Sequence, residues 1–309
     1  MFHYEQMHIV IFLITVFRTP MLLENCKMTW WMNALYINNF ADVFDICYPP
    51  SWFLSVDTQL FWAAPIFLIA IFYSCEQNFL RDLRRTGFGA VIGGIVFSVI
   101  TTFFLTAYYD LPAVGFTMHA SGILDFMTHF YIKPWIRCIP YLIGILCGYF
   151  IVQVRNQNIK LRQPKMWELV VCWLFATVIA LTVIFSVYNY IRGTSDWSVV
   201  VRSLYGSFAR IGWSLEFAWV ILACTFDWAG PVKAILEHPL WYPLGRLSYC
   251  TFLAHWFIMY SVLNGSDGPV HFVSLWHTYL TLTVPVVFLS YVWAYMWSCL
   301  VEIPFAKIE

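Results

Sequence analysis

Charge is scarce in this 309-residue chain: Asp, Glu, Lys and Arg make up 11% of it, against about 25% in a soluble globular domain. A soluble fold is disfavoured, because it would have to hide most of a chain that is 61% hydrophobic. Net charge is missing as well. The 17 Lys and Arg are balanced by 17 Asp and Glu, so no basic surface points to nucleic acid, and no nucleic-acid partner is expected. The familiar catalytic signatures are absent too: there is no G-x-S-x-G, P-loop, H-E-x-x-H, C-x-x-C or dinucleotide fingerprint. No metal site and no bound cofactor is expected from the residues. Fixed-period repeats, low-complexity tracts and extended linkers are also lacking, which favours one domain. The opening stretch "MFHYEQMHIVIFLITVF" has neither a basic flank nor a small-residue cleavage site, so it reads as a first span and not as a removable signal peptide.

What is present is apolar and continuous. Mean hydropathy is +0.70. Apolar runs fall at 7–23, 54–73, 88–108, 136–154, 167–190, 209–226, 247–263 and 277–301, close to the 17 to 25 residues that cross about 30 Å of hydrocarbon as a helix. None alternates as a membrane barrel strand does. The fold class is therefore all-α, a polytopic transmembrane bundle of about eight spans, with connections too short for a separate soluble domain. Cytoplasmic loops carry the excess of Lys and Arg. Arg81, Arg84 and Arg85, then Arg155, Lys160, Arg162 and Lys165, mark two such loops. With eight spans both termini fall in the cytosol, and the membrane is either the plasma membrane or the endoplasmic reticulum. Lys27, Lys133, Arg137, Arg192 and Arg202 lie on the other side.

On that outer side are Cys26 and Cys47, both between the first two runs. An oxidising compartment would let them pair; the alternative is two unpaired surface thiols. The sequon Asn264-Gly265-Ser266 lies on the same side, close to the seventh run, and makes Asn264 a possible glycosylation acceptor.

Polar residues inside the spans are costly in lipid and so are the candidates for function. In "GRLSYCTFLAHWF", Ser248, Thr251 and His255 share one helical face. That stripe is either an interhelical hydrogen bond or a site, because imidazole exchanges a proton near neutral pH. Glu302 follows Ser298 by four residues and Tyr295 by seven, and reads as a solvated cap, a partner for an arginine, or a site residue. Arg210 and Glu216 stand six apart on different faces of one run, so each is expected to pair with another helix. Asp57 and Arg137 sit near the outer ends of their spans and could meet there. Pro65 and Pro140 remove backbone bonds in the same two helices and could bend them around a cavity.

Five blocks in order, "WWMNALYINNF" (30–40), "WFLSVDTQLFWAAP" (52–65), "KPWIRCIPYLIGILCGY" (133–149), "LGRLSYCTFLAHW" (244–256) and "VEIPF" (301–305), resemble the membrane acyltransferase-3 family. More narrowly, they resemble its nose-resistant-to-fluoxetine-like animal branch. The resemblance covers nearly the whole chain, read as a single transmembrane domain over 1–309. It implies transfer of an acyl group from a cytosolic acyl-CoA-type donor, as co-substrate, to a hydroxyl on a lipid or carbohydrate. Membrane lipid and that acceptor are the partners it implies. It further implies that Cys26 and Cys47 are the disulfide this branch carries around the "LYINNF" block. The family's first helices, with its catalytic histidine, and the extracellular region of animal members are expected to precede these blocks, and neither His3 nor His8 matches the histidine's motif. If His255 converges with Arg137 or Arg210, it could serve as base with an arginine as oxyanion donor. The second class of function is a non-enzymatic carrier or receptor for lipids and hydrophobic small molecules.

Overall fold

The computed structural model describes residues 20–72, 80–115, 122–264 and 273–306, and every regular element among them is helical. The long helices are α1 (Pro20–Ala34), α2 (Ser51–Phe72), α3 (Leu80–Tyr108), α4 (Pro134–Arg155), α5 (Met166–Ser186), α6 (Val199–Thr225), α7 (Trp241–Asn264) and the closing span α8 (Leu275–Glu302). Within α8, π-helical turns at Tyr279–Thr283 and Ser298–Glu302 flank the α-helix Val284–Trp297.

Six helices among the described residues are long and apolar enough to cross a membrane: Ser51–Ile71, Gly87–Tyr108, Pro134–Arg155, Met166–Ile191, Val199–Thr225 and Leu275–Glu302. The chain is an integral membrane protein. Eight spans were expected; the first, at 7–23, lies almost wholly outside the described residues. The seventh forms α7 but is not among the six. Ser248, Thr251, His255 and Ser261 dilute its apolar run, and Arg246 and Asn264 close it. Helix α1 has 15 residues, too few to span the hydrocarbon. The sixth span begins ten residues earlier than the expected 209, because Ser198 caps the helix by accepting from the Val201 N–H. The polar turns at Arg202, Ser203 and Ser207 hid that start from a reading by hydropathy.

The described chain packs as two compact units. The first comprises α1, Phe44–Trp52, α7 and α8; the second comprises Asn39–Val43 and Phe53–Lys233. In the first unit α7 lies along α8, and Tyr48 is the buried anchor. Its hydroxyl donates to the Leu253 carbonyl at 2.5 Å and its ring stacks on Phe257 at 5.0 Å. Burial pushes the Tyr48 phenol well above its ordinary range. The Cys26–Cys47 disulfide is formed. Asn25 donates through Nδ2 to the Phe44 carbonyl, and Thr29 through Oγ1 to the Asp45 carbonyl at 2.8 Å, so the same two segments are tied three times.

In the second unit α3, α4 and α6 pack on one another and α5 packs on α6. Large apolar side chains on α5, among them Trp167, Val171, Leu174, Phe175 and Phe185, remain exposed, as a lipid-facing surface requires. Lipid is as apolar as leucine, so helices here associate through close packing and not through hydrophobic transfer. Small residues make that packing possible. A Cβ on Gly87 would lie 2.7 Å from the Ala70 carbonyl carbon of α2, and one on Gly94 would lie 2.8 Å from Leu142 Cδ1 of α4. Leu142 can turn away, whereas the Ala70 backbone cannot. Gly87→Ala should therefore destabilise this unit by about 1–3 kcal/mol, read as a lower midpoint of thermal unfolding in nanodiscs. A change within measurement error would mean that the helices separate freely there.

Candidate ligand cavity in the helix bundle

The second unit contains a cavity of about 430 Å³ walled by α4, α5 and α6, within the size range of small-molecule sites. Pro140, Ile143, Val183, Trp213, Phe217 and Ile221 make its wall apolar, and Arg137 and Arg210 are its charged lining residues. Two of the candidate site residues chosen from the sequence are thus brought to one place. Pro140, where a bend was expected, lies inside α4 on this wall. Pro65 lies inside α2 and is not part of it.

Both arginines are held by backbone carbonyls and aromatic faces. Arg210 Nη1 donates to the Gly206 carbonyl at 2.8 Å, and its guanidinium lies 4.7 Å from the centre of the Phe130 ring. Arg137 Nε donates to the Tyr131 carbonyl at 3.0 Å, with its guanidinium 4.2 Å from the Tyr131 ring. Such a stacked contact contributes about 1–2 kcal/mol away from water. Phe130 and Tyr131 belong to a π-helical turn, Met127–Tyr131. Its wider winding, of the kind often found at functional sites, supplies both supports from adjacent residues. Neither was singled out from the sequence; a π turn leaves no periodic signal there, and only the short Asp125–Tyr131 stretch before "KPW" hints at an irregular entry. Among the described residues, no carboxylate forms an ion pair with Arg210.

The remaining candidates fall elsewhere. Glu216 is half-buried on α6 and does not line the cavity; among the described residues it makes no ion pair. Asp57 on α2 acts electrostatically on Tyr141, one turn beyond Arg137 on α4. His255, Ser248, Thr251 and Glu302 belong to the first unit. Ser248 and Thr251 donate back to their own helix, to the Gly245 carbonyl at 2.7 Å and the Leu247 carbonyl at 2.8 Å. His255 Nδ1 stands 2.5 Å from the Phe252 carbonyl oxygen. That oxygen can only accept, so Nδ1 is the donor of this pair. Glu302 accepts from Ser298 Oγ at 2.7 Å and from the Cys250 thiol at 3.7 Å, which faces it toward α7. Asn264 closes α7, and Gly265 and Ser266 lie outside the described residues.

A second crevice in the same unit, also about 430 Å³, is polar. Asp110, Asp196 and Arg202 line it together with Tyr109, Tyr190 and Trp197. Arg202 clamps the end of α3 by pairing with Asp110 Oδ1 at 2.5 Å and donating to the Leu111 carbonyl at 3.0 Å. Trp197 stands 4.9 Å from the Tyr190 ring. In the same unit, Lys133 donates to the Asn39 carbonyl at 2.9 Å and fixes Asn39–Val43 to the start of α4. Burial lowers the Lys133 pKa and the Asp42 charge partly offsets it. Arg202 and Arg210 are eight residues apart on α6, about 12 Å of helical rise.

Membrane-length helices around a guanidinium-bearing cavity define a polytopic helical membrane protein. Among known proteins, the chain is 29% identical over 303 residues to nose resistant to fluoxetine protein 6 of Caenorhabditis elegans, covering 95% of this chain and 35% of that protein. It is 22% identical over 282 residues to regulator of hypoxia-inducible factor 1 of the same nematode, covering 83% of this chain and 49% of that protein. The chain thus spans about a third and about half of the two relatives. The first similarity supports the nose-resistant-to-fluoxetine-like branch that the five sequence blocks resemble. No family model and no solved structure matches the chain.

Proposed function

We propose that this chain is an acyltransferase-3-like membrane domain that moves an acyl group from an acyl-CoA-type donor to a hydroxyl on a lipid or carbohydrate. The observation that carries the reading is the meeting of Arg137 and Arg210 at one apolar cavity. An acyl chain suits the wall formed by Ile143, Val183, Phe217 and Ile221. Its thioester carbonyl then lies against fixed cationic donors. As the acceptor hydroxyl attacks, the new C–O bond puts negative charge on the carbonyl oxygen, which the guanidiniums stabilise without reorganising. The C–S bond breaks next, and the thiolate leaves with the proton taken from the hydroxyl. The base belongs, by the resemblance, to a helix preceding these blocks.

The polar crevice offers what a hydroxylated acceptor uses: aromatic faces at Tyr190 and Trp197 and carboxylate acceptors at Asp110 and Asp196. The Cys26–Cys47 bond fits an oxidising compartment, and the positions of lysine and arginine fit the plasma membrane or endoplasmic reticulum. A second reading, a carrier or receptor for lipids or hydrophobic small molecules, draws on the same apolar wall.

The test is incubation of radiolabelled acyl-CoA with membranes carrying the natural full-length protein. Acyl transfer predicts label covalently attached to lipid or carbohydrate. Bound ligand with no covalent product favours the carrier.

A further inference from the structure

The fixed charge in the cavity selects a ligand class. Arg210 lies eleven residues into a 27-residue helix, far from either end, and a cation at such depth in a bilayer is retained where something answers its charge. Its observed partners, the Gly206 carbonyl and the Phe130 face, solvate the guanidinium without neutralising it. Arg137 lines the same space, and its charge opposes that of Arg210. A second positive charge on the same wall adds to the attraction for an anion at Arg210. The wall at Ile143, Val183, Phe217 and Ile221 offers a small hydrated anion no hydrogen bond to replace its water. An anionic polar head joined to an alkyl tail satisfies both ends of the cavity.

We infer that the cavity binds single-chain anionic amphiphiles, a carboxylate or phosphate monoester head against Arg210 and Arg137 with its alkyl chain along the apolar wall. The head accepts hydrogen bonds from the Arg210 guanidinium nitrogens other than Nη1, which donates to the Gly206 carbonyl. The tail takes the space that the acyl chain of the transfer reaction would occupy. Binding therefore requires no reaction, and such amphiphiles compete with an acyl donor where transfer occurs.

The experiment uses the natural full-length protein in phosphatidylcholine nanodiscs, with equilibrium binding of dodecyl phosphate, laurate, dodecanol, dodecyltrimethylammonium and inorganic phosphate. Dodecyl phosphate and laurate should bind at least about tenfold more tightly than dodecanol, a charge-assisted hydrogen bond being the difference. The ammonium should bind more weakly still. Arg210→Gln should abolish the preference for the anions and leave dodecanol binding in place, which also shows that the cavity has kept its shape. Arg210→Lys should retain part of the preference. Equal affinity for dodecanol and dodecyl phosphate would overturn the inference, as would inorganic phosphate matching dodecyl phosphate, since the site would then be apolar only or a plain anion site. Amphiphile binding without acyl transfer refutes the reaction and leaves this inference standing; acyl transfer without anion preference does the reverse.

Discussion

Replacing Arg210 with glutamine should lower kcat for acyl transfer by about 100- to 1000-fold, the usual loss when one pre-positioned oxyanion donor is removed. The effect is large because the donor acts where water is excluded, and because Phe130 and the Gly206 carbonyl hold it in place before charge develops. Glutamine keeps a donor but not the charge, whereas lysine keeps the charge but not the planar fork. Arg210→Lys should therefore fall between the two. Glu216→Gln, six residues along the same helix, is the control: it removes a charge from α6 without touching the cavity and should leave kcat within about twofold. A rate that survives Arg210→Gln would show that the thioester does not react against this wall.

Removing the Cys26–Cys47 bond should cost the first unit about 3 kcal/mol. The bond closes a loop with a sequence separation of 21, and loss of the cross-link restores that much freedom to the unfolded chain. The loss should be cooperative with its neighbours. The Asn25 and Thr29 side chains reach across to the Phe44 and Asp45 carbonyls beside the bond, and Tyr48, one residue on from Cys47, carries the bond to Leu253. Urea unfolding of Cys26→Ser/Cys47→Ser in nanodiscs, compared with the oxidised protein, measures the difference. A loss below about 1 kcal/mol would mean that these hydrogen bonds hold the segment without the covalent link.

Six of the spans were legible because lipid imposes a simple rule: a continuous apolar run must satisfy its backbone within itself. Where the rule is diluted, as by His255 and its polar neighbours in α7, hydropathy weakens while the helix persists. Local spacing was equally readable. Ser298 and Glu302, four apart, are bonded through a π-helical turn; Cys26 and Cys47, whose pairing the family resemblance implies, form a disulfide. Convergence between helices was not readable. Arg137 and Arg210 are 73 positions apart, and nothing in either stretch says that α4 and α6 turn those faces to one cavity. The supports at Phe130 and Tyr131 were hidden for a different reason: a π turn changes the register by one residue and looks, in sequence, like the end of a loop. The polar stripe on α7 shows the converse, since Ser248 and Thr251 share a face as expected yet bond to carbonyls of their own helix.

The most direct test of the account is to map where an acyl donor lies. A diazirine-bearing acyl-CoA analogue, irradiated with the natural full-length protein in nanodiscs and followed by peptide mass spectrometry, should label residues 137–147 and 209–221, and dodecyl phosphate should suppress that labelling. Labelling concentrated in 247–263, around His255, with the α4 and α6 peptides unmodified, would contradict it.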